Sequence, residues 1–222
     1  MSNQLEEIPL FPLNTVLFPY ASLQLHIFEE RYREMVRSCL DLDTPFGIVL
    51  IRNGSEVGGE ADPYLVGTAV RIQQVHHYED GRMDILVQGE RRFRIRGFDE
   101  SRNYLVGLVE PVIEMEIEEL DRAADLFGRA RDDFEALVQR MFAHQEVHVQ
   151  VRLSDDPIVL SFTIANMLNI ENLEKQRLLE TTNTVERMAD LIPMLEAQLI
   201  ESQKPSYFRI GTKELSDWIH PN

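Results

Sequence analysis

The stretch IPLFPLNTVLFPYASLQLHIFEERYREMVRSCL, residues 8–40, decides the reading of the chain, because extended and helical periods follow one another inside it. PLFP and VLFPY hold proline in apolar, extended sequence around Leu10, Pro12, Phe18 and Tyr20. Proline lacks the amide that a sheet ladder needs, so these segments are expected at a structural edge or strand start. An apolar rim to which an unfolded segment could add, with Phe18 and Tyr20 as contacts, is the functional alternative. Leu23, Leu25 and Ile27 then alternate with Gln24 and His26, which is the period of a half-buried strand. From Glu29 to Leu40 the apolar residues Tyr32, Met35, Val36, Cys39 and Leu40 recur at helical spacing.

Working outward, the same mixture continues to about residue 113. Residues 46–51 form a short apolar run, read as a buried strand, and NGSEVGGEADP at residues 53–63 reads as a loop. Strands are predicted over residues 64–76, 83–88, 91–96 and 104–112. Asp80-Gly81 signals a two-residue hairpin turn, since both positions tolerate positive φ. Near residue 114 the period becomes helical. Leu120, Phe127, Phe134 and Met141 recur every seventh position with Ala123, Ala130 and Leu137 between them, predicting a helix over 118–142. Asp156-Pro157 reads as an N-cap followed by proline in the first turn, with Leu160, Ile164, Met167 and Leu168 facing inward. A short helix over 173–180 follows. Asn183 with Glu186 resembles a capping box for a last helix carrying Val185, Met188, Ile192, Leu195 and Leu199 inward, kinked at Pro193 and ended by Lys204-Pro205. The fold class is α+β: a β-rich lobe over residues 5–113, a helical bundle over 114–203 and a tail over 204–222. No flexible linker separates the lobes at 111–118, so they are expected to pack closely.

Composition limits the function. The chain has 222 residues, 44% hydrophobic and 27% charged, the balance of a soluble globular protein. Its formal net charge is -16, from 38 acidic against 22 basic residues, and such a surface repels phosphate backbones and anionic lipid. No nucleic acid or membrane partner is therefore expected. No apolar run reaches the roughly 18–20 residues that span a bilayer, and the acidic start lacks a signal pattern. The single cysteine, Cys39, excludes an internal disulfide and fits a reducing cytoplasm.

His144, Glu146 and His148 approach a zinc-protease motif, but that motif needs Glu directly after the first His. His76 and His77 are neighbours on a strand and point to opposite faces. Neither set is expected to hold metal. Cys39 reads as a small core residue, since no evident histidine or helix N-terminus would activate it. No serine stands in a G-x-S-x-G turn. Arg92, Arg94 and Arg96 alternate with Phe93 and Ile95, which aligns three guanidiniums on one strand face. A solvated face paired with surplus carboxylates is preferred there to a stripe gripping acidic peptide or phosphate. Tyr207, Phe208 and Trp218 in the tail are expected to fold back over exposed surface, or else to engage a partner.

The opening stretch, with PLFPL, VLFP, HIFE-x-RY and a helix beginning Met-Val, resembles the start of the Lon protease N-terminal domain family. VGTAVRI at residues 66–72, the DGR turn at 80–82, GERRFRI at 89–95, YLVGLVE at 104–110 and the helical sequence of residues 165–188 follow in the family's order. Glu30 departs from a position where the family often has proline; it suits a first helical turn equally well. The resemblance implies a twisted, PUA-like β pseudo-barrel followed by a four-helix bundle. It further implies a substrate-recognition role: holding unfolded or partly folded protein segments, as an adaptor or modulator beside a Lon-type or other ATP-dependent protease. A stand-alone, non-catalytic form is expected, since Gly-Lys occurs nowhere and the chain stops short of the family's Ser-Lys pair. No cofactor is implied. An RNA-binding PUA-like domain and an unrecognised hydrolase are the competing readings.

Overall fold

In the computed structural model, which describes residues 5–58, 61–116, 120–142 and 153–202, the chain begins with β1 (Glu6–Leu13), β2 (Ser22–Ile27), α1 (Glu30–Leu42) and β3 (Phe46–Gly54). It continues with β4 (Ala61–Pro63), β5 (Val66–His77), β6 (Met83–Asp99) and β7 (Val106–Pro111). The helices α2 (Leu120–Phe142), α3 (Pro157–Met167), α4 (Asn172–Glu180) and α5 (Thr184–Glu201) complete it.

β1 closes the sheet by changing partner halfway. Its residues 6–9 pair antiparallel with β7, and its residues 10–13 pair parallel with β3. The path β1–β7–β6–β5–β3 therefore returns to β1 as a barrel, which removes most free edges. Each half of β1 has one ladder partner, which accommodates Pro9 and Pro12, but the segment is core and not rim. Leu10 is fully buried and Phe11 nearly so, as are Leu17 and Phe18 downstream.

Several sequence expectations are corrected here. The two strands predicted over 83–88 and 91–96 are one, because Gly89 stays extended inside β6. The segment Phe18–Ala21 turns directly against Gly89. Tyr20 donates its amide to the Gly89 carbonyl (2.8 Å), Gly89 donates to Ala21 O (2.8 Å), and a Cβ there would run into Phe18 O. The predicted loop over 53–63 folds back as a hairpin, with β4 pairing onto the end of β3. At the β5–β6 turn only Gly81 takes positive φ (85°). Its amide bonds to Tyr78 O (3.0 Å), so the connection is longer than two residues.

The helices follow the apolar period. Phe134, Ala130, Leu160, Ile164, Met188 and Leu195 are buried in one cluster, which also takes Val16, Phe18, Leu50 and Val66 from the barrel. The two lobes thus share a core. Asp156 Oδ1 accepts from Ile158 N (2.8 Å), and Asn183 Oδ1 accepts from Val185 N (3.0 Å) and Glu186 N (3.2 Å), as the cap positions required. Pro193 lies inside α5, on its exposed side, and the helix runs through it.

Candidate functional site

β6 takes part in two features: a buried seam against the bundle at Arg92, and an open strand edge on β2, which pairs with its first half.

The seam is built around Glu114, which follows β7. Arg92, on β6, donates through Nη1 to Leu179 O (2.5 Å) and Thr181 O (2.7 Å), and through Nη2 to Glu114 Oε1. Arg187, on α5, donates to Ser161 Oγ (2.9 Å), Thr181 O (2.6 Å), Thr184 Oγ1 (3.0 Å) and Glu114 Oε2 (3.1 Å). The guanidinium carbons of Arg92 and Arg187 lie 5.2 and 4.0 Å from the centre of the Phe162 ring. One carboxylate therefore serves two buried cations, one from each lobe, and the remaining positive charge rests on carbonyls at the negative end of α4. Burial lowers the Arg92 pKa to about 10 against the opposing pull of Glu114, and lowers that of Arg187 for the same reason. Both stay charged at neutral pH. Gln176 Nε2 to Val66 O (3.0 Å), Asn172 Nδ2 to Asn14 O (2.6 Å) and Met115 N to Thr182 O (2.9 Å) extend the join. The seam joins the lobes through buried donors on Arg92, Gln176 and Arg187, while Gln176 Oε1 is buried with no hydrogen-bond partner among the described residues.

Beside the seam the turn Phe18-Pro19-Tyr20-Ala21 closes with Ala21 N to Phe18 O (3.3 Å). Pro19 occupies the position that favours proline in a type II turn, and Tyr20 the next position with φ 68°, which favours glycine. Tyr20 as a whole is 44% exposed. Partial burial, then the charges of Asp156 and Glu114, raise the Tyr20 pKa.

The open edge belongs to β2. Residues 22–27 pair with β6 in unbroken antiparallel register, and no other strand among the described residues pairs with them. A groove of about 290 Å³ runs between this edge and the β3–β4 connection, with Phe11 and Tyr32 in its lining. Those two rings stand 4.2 Å apart. Phe28 and Val57, 47% and 55% exposed, also line it. The far wall is tied in place. Glu56 Oε2 accepts from Asn14 N (3.1 Å), and Glu29 Oε2 from Arg31 Nε (3.1 Å) and Gly58 N (3.3 Å). On the outer face His26 Nδ1 meets Asp84 Oδ1 at 2.6 Å, and Tyr78 Oη donates to Asp84 Oδ2 (2.5 Å). The hydrogen bond from Tyr78, then that from His26, holds the Asp84 carboxyl below its usual range.

The residues singled out in the sequence separate. Phe18 is fully buried against Phe162 (ring centres 6.0 Å apart) and cannot meet a partner at the surface. Arg92 is 3% exposed, so the expected solvated arginine face is broken: the bundle covers its first member. Arg94 is half-buried, and Arg96 is exposed and paired with Glu110 Oε1 (2.5 Å). Cys39 is 2% exposed, and burial pushes its thiol up to about 11, against a hydrogen bond from Thr44. Among the described residues no group of three or more His, Cys, Asp or Glu side chains is placed to hold a metal ion. His144, Glu146, His148, Tyr207, Phe208 and Trp218 lie outside the described residues. Phe28 and Val57 were not singled out in the sequence. Phe28 carried a signal in its place directly after the alternating strand; Val57 carried none.

The chain is similar to known proteins over most of its length. The family model described as the ATP-dependent protease La (LON) substrate-binding domain matches residues 7–197. Lon protease of Escherichia coli (strain K12) is 27% identical over 196 residues, covering 87% of this chain and 25% of that protein. Lon protease of Desulfovibrio desulfuricans is 28% identical over 194 residues, 82% of this chain and 21% of that one. The chain thus spans about a quarter of the length of such relatives. The crystal structure of a Lon N-terminal domain protein from Xanthomonas campestris superposes with a TM-score of 0.62 at 27% identity, covering 85% of this chain and 98% of that one. The N-terminal domain of Mycobacterium avium complex Lon protease, 22% identical, shares the fold with a TM-score of 0.66 over 86% of this chain and 98% of that one.

Proposed function

The chain belongs to the Lon substrate-binding domain family, and from that premise we propose that it recognises protein segments and performs no covalent chemistry of its own. Its ligands are unfolded or partly folded polypeptides, and its place is that of an adaptor or modulator in cytoplasmic protein quality control, beside a Lon-type or other ATP-dependent protease. The observation that carries this reading is the family match across residues 7–197. The groove beside β2 supports it, because solvent-facing Phe28 and Val57 gain from being covered. The cysteine, buried with a raised pKa, is unsuited to nucleophilic attack. Tyr20, exposed on a turn whose backbone favours glycine, stands as a secondary contact in this reading.

Titration of the full chain into fluorescently labelled, reduced and carboxymethylated α-lactalbumin tests the proposal by anisotropy. A saturable rise that persists at moderate salt is the expected result. No rise with this or other permanently unfolded proteins would sink it. A partner that is RNA instead predicts affinity falling steeply with salt, which a net charge of -16 opposes.

A further inference from the structure

The wall of the groove includes four consecutive residues, Gln24 to Ile27. Successive strand residues point to opposite faces, so four in a row can border one groove only where the backbone edge itself is the wall. In sequence and register, that edge lacks the devices that usually blunt one. β2 reads SLQLHI, without proline, lysine or any Asp, Glu or Arg, and its register against β6 shows no bulge.

We propose, building on the protein-recognition reading above, that an extended polypeptide segment adds to the free edge of β2 as a further strand, with alternate apolar side chains in the groove and a basic residue at its flank. A volume of about 290 Å³ is at the lower limit of small-molecule pockets, and suits one or two side chains of a strand instead. Phe28 and Val57 become covered as the segment docks. The charge of the occupant follows from the lining, which among the described residues holds the carboxylates of Glu29 and Glu56 and no Lys or Arg. Arg31 partly offsets Glu29, and Glu56 accepts from the uncharged Asn14 amide. An apolar segment flanked by Lys or Arg is therefore favoured over one flanked by Asp or Glu.

The test uses the full chain and a short labelled peptide of alternating Val and Ser with Lys at each end. Two companions accompany it: the same peptide with alternate amides N-methylated, and one with Glu in place of Lys. Binding of the Lys peptide is expected to fall about tenfold or more on N-methylation and severalfold with Glu. Val57→Ser, an exposed position, is expected to weaken the Lys peptide severalfold, while Leu173→Ser on α4 leaves it unchanged. Equal binding of the N-methylated peptide overturns strand addition. If Val57→Ser has no effect while carboxymethylated α-lactalbumin still binds, the site is overturned and the protein-recognition reading survives. If neither peptide nor α-lactalbumin binds, both fail. Sedimentation showing a wild-type dimer that Val57→Ser dissociates and the peptide does not compete with assigns the edge to a second copy, and overturns the proposal.

Discussion

The two halves of β6 meet opposite fates. From Gly89 onward the strand pairs first with β5 and then with β7, and the bundle covers it at Arg92, where Arg92 and Arg187 donate to Glu114, to carbonyls and to hydroxyls. Before Gly89 it carries β2, whose far edge pairs with no other strand among the described residues. A buried polar group without a partner is expensive, so a seam this polar is held by the hydrogen bonds that its two guanidiniums make. An exposed edge has water as partner and can exchange it for another chain. Charge density alone would have pointed to the arginines as the site of function. Hydrogen-bond accounting points to the uncharged edge.

The comparison is broken most directly by one residue type placed in both regions. Phe18→Ala removes a fully buried ring from the core shared by the lobes, and urea unfolding should show a loss of about 3–5 kcal/mol. Phe28→Ala, at the groove, should lose less than about 1 kcal/mol. Equal losses would erase the distinction between seam and edge. Glu114→Gln leaves two buried guanidiniums without their carboxylate, and a loss of roughly 3 kcal/mol or more is expected. Arg92→Met combined with Glu114→Gln should be milder than the sum of the two single changes, because the charges were coupled.

Cys39 sharpens the groove side, since it lies on the buried face of α1 that also presents Tyr32. Its thiol titrates near 11 when folded and from 9.0 in the reference state. Between those values the unfolded chain gives up a proton that the folded chain keeps, so stability falls as pH rises through this window. The loss should approach about 2–3 kcal/mol relative to Cys39→Ala, measured by urea unfolding at pH 9 and pH 11. Iodoacetamide should leave the native thiol unmodified at neutral pH; rapid modification would mean that the groove wall opens. The smallest effect belongs to Tyr20→Gly. Relief of the positive φ, roughly 1–2 kcal/mol, is partly offset by the greater freedom of glycine when unfolded, leaving a gain below about 1 kcal/mol in melting experiments.

Much of this was legible in the residues because period reports what an element buries. Phe127, Ala130 and Phe134 announced the inner face of α2, and Asp156-Pro157 and Asn183 announced helix starts that the structure has. Strand alternation reports a face but not its cover, which is why it gives Arg92 as solvated while the end of α4 and Phe162 of α3 cover it. Pairing is also silent in a linear sequence. Gly89 read as a gap between strands because nothing local shows the turn at Phe18 packing onto it. The solitary edge of β2 is a property of the closed barrel, and no feature of SLQLHI reveals how many neighbours it has.

Backbone amide hydrogen exchange, followed residue by residue with and without saturating carboxymethylated α-lactalbumin, tests the central claim most directly. New protection should concentrate at residues 22–27 and around Val57, with Arg92 and its neighbours equally protected in both states. Bound α-lactalbumin that leaves the β2 amides exchanging as before, or that instead changes protection along the seam, would contradict the account.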